Sequence, residues 1–149
     1  MTGTDAGAQV LLHATTVAAR GRGLLILGRS GAGKSSLALQ LIALGAALVA
    51  DDRTRVTLGP KGLVASPPDT IRGRIEARGV GLLTLPHEPE APLSLAVDLD
   101  ETEPGRLPHP HHVTILGHRL PCLRRAEGPH FPAAVLMTLA APLTNPDEP

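Results

Sequence analysis

The chain has 149 residues, 14 Lys plus Arg balanced by 14 Asp plus Glu, and a single cysteine, Cys122. That length suits one domain with a real core. The even charge argues against nucleic acid or an anionic membrane as partner. One thiol excludes an internal disulfide and suits a reducing cytosol. Phe131 is the sole aromatic residue, so stacking on single-stranded bases is all but excluded. The first ten residues lack a basic start with an apolar run behind it, and no apolar stretch approaches about 18 residues. The expectation is a cytoplasmic protein, one domain over 1–149 with a flexible tail over about 143–149.

In chain order, His13–Ala19 reads as a strand that turns at Arg20-Gly21-Arg22-Gly23 and pairs with Leu24–Leu27 as a hairpin. From Lys34 to Leu44 the residues Leu37, Ala38, Leu41, Ile42 and Leu44 repeat at helical spacing, and Gly45 is a fitting stop. Ala47–Ala50 is a short strand expected to return beside the Leu24–Leu27 strand. Arg55–Leu58 and Leu63–Ala65 alternate around Gly59-Pro60-Lys61-Gly62, a second hairpin. A helical turn or loop is expected over Ile71–Arg78, then strands over Gly81–Leu85 and Leu93–Leu99. Val113–Leu116 and Arg119–Leu123 form a third hairpin about Gly117-His118. Pro132–Ala141 reads as a closing helix with proline in its first turn. A usual doubly wound kinase alternates strand and helix. Hairpins dominate here, so the expected fold is an α/β phosphate-loop domain on a mixed, hairpin-rich β-sheet.

The motif that carries chemistry is Gly28-Arg29-Ser30-Gly31-Ala32-Gly33-Lys34-Ser35, a G-x-x-x-x-G-K-S sequence between the Leu24–Leu27 strand and the helix that follows. Glycines let backbone N–H groups approach phosphate oxygens, and the helix adds its partial positive N-terminus. Lys34 supplies a charge for the β/γ-phosphates and Ser35 a hydroxyl for Mg²⁺. Next, Asp51-Asp52 ends an apolar strand only 17 residues after Ser35. Two adjacent carboxylates there invite two tasks, one with the metal and one as general base. Adjacent strand residues face opposite ways, so both serve only if the strand is ending.

Together these residues resemble the HPr kinase/phosphorylase family. The resemblance runs from His13 through the loop to Leu48-Val49-Ala50-Asp51-Asp52 and on to Ile75-Glu76-Ala77-Arg78-Gly79-Val80-Gly81. It covers about residues 10–141. Members use ATP to phosphorylate a serine of HPr, the phosphocarrier of the sugar phosphotransferase system, and many reverse the reaction with inorganic phosphate. The resemblance implies a cytoplasmic, ATP- and Mg²⁺-dependent serine kinase in the control of carbohydrate metabolism. It places Gly28–Ser35 on the triphosphate, Ser35 and Glu76 on Mg²⁺, and Asp52 as proton acceptor. His13 falls at the family's active-site histidine, and Arg78 is positioned to neutralise the phosphoryl group. HPr is the implied partner, and the family's assemblies imply a homo-oligomer. The family's later P-V-R-P-G-R segment corresponds to Pro121-Cys122-Leu123-Arg124-Arg125. There Arg124 is the candidate active-site arginine and Arg125 its rival. The chain stops short of the family's C-terminal helix, which implies a weakened reverse reaction. The alternatives are a small-metabolite kinase, against which the hairpins argue, and a non-catalytic nucleotide-binding module, against which Ser35, Asp52 and Glu76 argue.

Other clusters suggest less. His109, His111 and His112 stand close together, but Pro110 keeps the path extended and no cysteine or carboxylate is expected at ligand spacing from them. Cys122 lies in an apolar strand and reads as a small buried hydrophobe. Asp98, Asp100, Glu101 and Glu103 read as the solvated acidic end of a strand.

Overall fold

The structure, a computed structural model, describes residues 7–68 and 73–140. Its elements are β1 (Gln9–Leu12), β2 (Thr15–Ala19), β3 (Arg22–Leu27), α1 (Lys34–Ala43), β4 (Ala47–Ala50), β5 (Thr54–Gly59) and β6 (Gly62–Ser66). They continue as β7 (Arg74–Ala77), β8 (Gly81–Thr84), β9 (Ala91–Thr102), β10 (His112–Ile115), β11 (His118–Arg125) and α2 (Phe131–Ala140).

The main sheet runs β1-β5-β6-β9-β3-β2-β4, with β11 also on β9 and β10 on β11. β9 organises it. One edge of β9 takes β3 in parallel over Leu93–Asp98. The opposite edge takes β6 antiparallel at Ala91–Pro92 and then β11 in parallel from Ala96 onward. The remaining pairings are antiparallel. The sheet is thus mixed and hairpin-rich, as expected.

Side chains alternate across this sheet with the period of two that extended backbone imposes. Leu24 and Ile26 of β3, with Leu95, Val97 and Leu99 of β9, pack against Leu37, Ala38 and Leu41 of α1 and Val135 and Leu139 of α2. Leu25 and Ala96 turn to the other face, where Ala14, Val56, Leu63, Ile115, Leu120 and Cys122 cover them. Full burial of each such Leu, Val or Ile contributes about 1.5–3 kcal/mol. The two clusters therefore fix β3 and β9 between them. The loop that follows β3 stands on strands whose centres are buried on both faces.

Three expectations are corrected. The strand expected over His13–Ala19 starts at Thr15, because a bend at His13 separates it from β1. β1 pairs with β5, whereas β2 pairs with β3 and β4, so the chain changes partners at His13. Second, β4 does not lie beside β3. The β2–β3 hairpin already occupies that edge of β3, and β4 joins β2 instead. Third, residues 74–77 are a strand, not a helical turn. Ile75 and Ala77 are buried while Arg74 and Glu76 are exposed, a two-residue period that pairs β7 with β8. Ile71 and Arg72 of that expectation lie outside the described residues, as do Ala141 and the tail. Among the described residues no helix is long and apolar enough to cross a membrane.

Candidate functional site

The glycine-rich loop leaves the end of β3 and enters α1 at Lys34. Gly28 lies against Ala32 and Leu99: a Cβ added there would stand 2.9 Å from the Ala32 Cβ and 3.3 Å from the Leu99 Cβ. At Gly31 and Gly33, with φ of 86° and 101°, an added Cβ would meet nothing within 4 Å. The glycines therefore answer two needs, close approach at the base and left-handed backbone at the open crest. Gly33 caps α1 without any side-chain hydrogen bond, and no acidic residue stands in the first turn. The helix itself thus brings no side chain of negative charge to its positive end, which suits an anion.

Lys34 is buried, 7 % exposed, and its ammonium donates to the carbonyls of Gly28 at 2.7 Å and Arg29 at 3.1 Å. No carboxylate shares that charge among the described residues. Isolated buried charge is costly, so an ammonium held only by carbonyl dipoles marks a place for a negative ligand.

The two aspartates at the end of β4 separate cleanly. β4 stops at Ala50, and Asp52 takes the left-handed conformation, φ 68°. Asp is among the few residues that tolerate it. The twist sends the carboxylates to different partners. Asp51 Oδ1 accepts from the Ser35 hydroxyl at 2.6 Å and from the Thr15 hydroxyl at 3.0 Å, and its Oδ2 lies 3.4 Å from the Glu76 amide nitrogen. Asp52 Oδ1 lies 2.7 Å from His13 Nε2. Thr15 joins the two, because its hydroxyl donates to Asp51 and accepts from the Asp52 amide at 3.1 Å. Beneath them Thr54 donates to the Ala14 carbonyl at 2.9 Å. Its hydroxyl proton is thereby used, so Thr16 donates to Thr54. This buried pair fixes the start of β2 on the start of β5.

The structure thus brings His13, Ser35, Asp52 and the Glu76 backbone into one neighbourhood with Asp51 and Thr15. Glu76 is exposed on β7 beside Asp51, and Arg78 is exposed in the turn that follows. Arg124 stands opposite Asp98 in the β11–β9 register. The arginine that touches the loop is Arg125. Its guanidinium donates to the Ala32 carbonyl at 2.6 Å and to the Leu99 carbonyl at 3.3 Å. A register shift between Arg124 and Arg125 turns it toward the loop. On the other flank Asp100, expected to be solvated, accepts from the Arg29 amide with both oxygens at 3.0 Å.

Sequence reasoning therefore passed over Asp51 as the partner of Ser35, and passed over Thr15 and Asp100. A hydroxyl residue two positions beyond His13 was the available signal for Thr15; Asp100 had none. The histidine group does not gather. His111 bonds Glu103 at 2.9 Å and His112 lies 2.9 Å from Arg119, and no metal-like cluster forms among the described residues. Burial and the nearby Asp98 charge push the Cys122 thiol up from 9.0 to about 11, in keeping with a buried hydrophobe.

A mixed-sheet α/β domain whose strand–glycine loop–helix junction is flanked by strand-end carboxylates is the class that this fold and site define. The chain belongs to the HPr Serine kinase C-terminal domain family, whose model matches residues 5–88. It is 34% identical over 146 residues to an HPr kinase/phosphorylase of Caldicellulosiruptor bescii, covering 89% of this chain and 47% of that one. An HPr kinase/phosphorylase of Caldanaerobacter subterraneus is 45% identical over 76 residues, 50% of this chain and 25% of that one. The chain thus spans about half the length or less of these curated relatives. In three dimensions it is similar to the Hpr(Ser) kinase/phosphatase of Coxiella burnetii, with TM-score 0.73, 24% identity and 88% of each chain covered. That likeness shows the fold.

Proposed function

We propose that this domain transfers the γ-phosphoryl group of ATP to a serine hydroxyl of the phosphocarrier HPr. The observation that carries the reading is the division of labour between consecutive carboxylates, Asp51 on Ser35 at 2.6 Å and Asp52 on His13 at 2.7 Å. A hydroxyl paired with a carboxylate is a hard-oxygen donor set of the kind Mg²⁺ takes, and Glu76 stands beside it. Ser35, Asp51 and Glu76 would hold the ion, which would supply charge neutralisation at the β- and γ-phosphates.

The remaining work falls to the protein. Amides around Gly31 and Gly33, the open end of α1 and the Lys34 ammonium bind the triphosphate. Asp52 receives the proton of the acceptor serine on Oδ2, since Oδ1 is engaged with His13. The serine oxygen then forms its bond to the γ-phosphorus as the bond to the bridging oxygen breaks, and that electron pair leaves on ADP. His13 fixes the Asp52 rotamer and keeps Oδ2 directed outward. Asp52 is more than half exposed, so a protein substrate can reach it without a lid. Arg78 and Arg124 are the cations proposed to balance phosphoryl charge, with Arg125 holding the loop.

The test is transfer of labelled phosphate from ATP to purified HPr with Mg²⁺, beside a panel of small hydroxyl metabolites. Label on HPr seryl oxygen and on none of the panel supports the reading. Label on a metabolite alone, or on nothing while nucleotide binds, refutes it.

A further inference from the structure

The end of β9 lies against the loop in a way that the chemistry above does not use. β3 ends at Leu27, which pairs with Asp98, but β9 continues to Thr102 because its other edge still has β11 as partner. Its free edge therefore runs past the start of the loop. There the Asp100 carboxylate accepts the Arg29 amide with both oxygens at 3.0 Å. Asp98 Oδ1 in turn accepts the Asp100 amide at 2.9 Å, so the backbone that carries the carboxylate is itself held in place. Gly28 makes the approach possible: a Cβ there would lie 3.3 Å from the Leu99 Cβ and 3.7 Å from the Asp100 carboxylate.

At the far end of the same four residues, Arg125 joins the Ala32 carbonyl to the Leu99 carbonyl. Between the two ends the Ala32 amide donates to the Arg29 carbonyl at 3.0 Å, and Lys34 donates to that oxygen too. The segment Arg29–Ala32 is thus gripped at its first N–H by Asp100 of β9 and at its last C=O by Arg125 of β11, which is itself tied to the Leu99 carbonyl of β9. A loop that holds its ligand through its own backbone gains affinity from being ordered before the ligand arrives.

We infer that Asp100 is a positioning residue for the nucleotide site, a carboxylate that orders the loop through the Arg29 amide. It acts through the loop and touches no substrate. The inference rests on the nucleotide reading of the loop given above. Direct charge on the ligand would have the opposite sign: an anion this near a triphosphate repels it, so its removal would tighten binding. The Arg29 guanidinium, 80% exposed and 3.7 Å from Asp100, contributes little to either effect.

The experiment compares Asp100→Ala and Asp100→Asn with the parent by titration with a fluorescent ATP analogue and Mg²⁺, and by amide hydrogen exchange. Asp100→Ala is expected to raise Kd about tenfold, the size of one lost hydrogen bond to a charged group. Asp100→Asn, which keeps an acceptor oxygen, is expected to raise it threefold or less. In a transfer assay KM for ATP rises with Kd, while kcat at saturation stays within about twofold. Exchange at the Arg29 amide accelerates in Asp100→Ala, while β2 and β3 keep their protection. Unchanged or tighter binding in both variants overturns the inference, as does weakening with the Arg29 amide undisturbed. Lys34→Ala is the control. If it binds the analogue as the parent does, the nucleotide reading fails instead, and Arg29 exchange alone decides whether Asp100 orders the loop.

Discussion

Replacing Asp52 with asparagine tests the central step and isolates it from binding and folding. Asparagine tolerates the left-handed backbone at φ 68°, so the turn after β4 survives. It keeps an oxygen for His13, and the pair it alters is an exposed one, with side chains 51% and 65% accessible. Such pairs contribute about 0–1 kcal/mol, which for a chain of this length is a melting shift of no more than roughly 4 °C. Nucleotide affinity is expected to hold, because none of Asp52's hydrogen bonds reaches the loop or Lys34. Only the proton acceptor is lost. Removal of a positioned general base slows transfer by roughly 10²–10⁴-fold, about 3–5 kcal/mol in the barrier. The assay is single-turnover phosphorylation of HPr at saturating ATP and Mg²⁺, with the analogue Kd and thermal midpoint measured on the same preparations. A variant that keeps a tenth or more of the parent rate, or an Asp51→Asn variant slower than Asp52→Asn at saturating Mg²⁺, would show that Asp52 is not the base.

The other predictions concern the loop, the metal and the core. Lys34→Ala should weaken analogue binding by roughly ten- to a hundredfold, the range for hydrogen bonds to a charged group, with circular dichroism unchanged; parental affinity would remove the phosphate-binding role. Ser35→Ala and Asp51→Asn should each leave nucleotide binding largely intact and raise the Mg²⁺ concentration for half-maximal transfer; an unmoved Mg²⁺ titration would release both from the metal. Gly28→Ala forces a Cβ to 2.9 Å from that of Ala32. It should cost about 1–3 kcal/mol, read as a lower melting temperature, and a parental melting point would mean the loop is slack. For Cys122 the folded thiol is raised from 9.0 to about 11. Its protonated form therefore contributes stability below pH 9 that is lost as pH rises toward 11. Urea midpoints for the parent and Cys122→Ala should converge over that window, and a constant gap would contradict it.

Much of the site is local in the chain and was legible there. G-x-x-x-x-G-K-S after an apolar run needs only its neighbours to become a glycine turn and a helix start, because φ freedom and helix termini are properties of adjacent residues. The same holds for the hairpins around Gly21, Gly59 to Gly62 and Gly117, and for α1, whose stop at Gly45 follows its own apolar period. Residues 74–77 failed for a related reason. Four residues are too few to separate a period of two from a helical turn, and only pairing with β8 settles the matter.

What the tertiary structure decided are the partnerships between distant segments. Strand order is set by which edges remain free, so no local pattern shows that β2 separates β4 from β3, or that β9 is the parallel neighbour of the loop strand. Three consequences follow from that order. Asp51 rather than Asp52 meets Ser35, because the turn after β4 twists the two carboxylates apart. Arg125 rather than Arg124 meets Ala32, because a register shift in β11 turns it. Asp100 meets Arg29, because β9, still paired with β11, runs on past the last residue of β3. Residue identity supplied the chemical groups along the sequence, and hydrogen-bond register between strands tens of residues apart chose which of them meet.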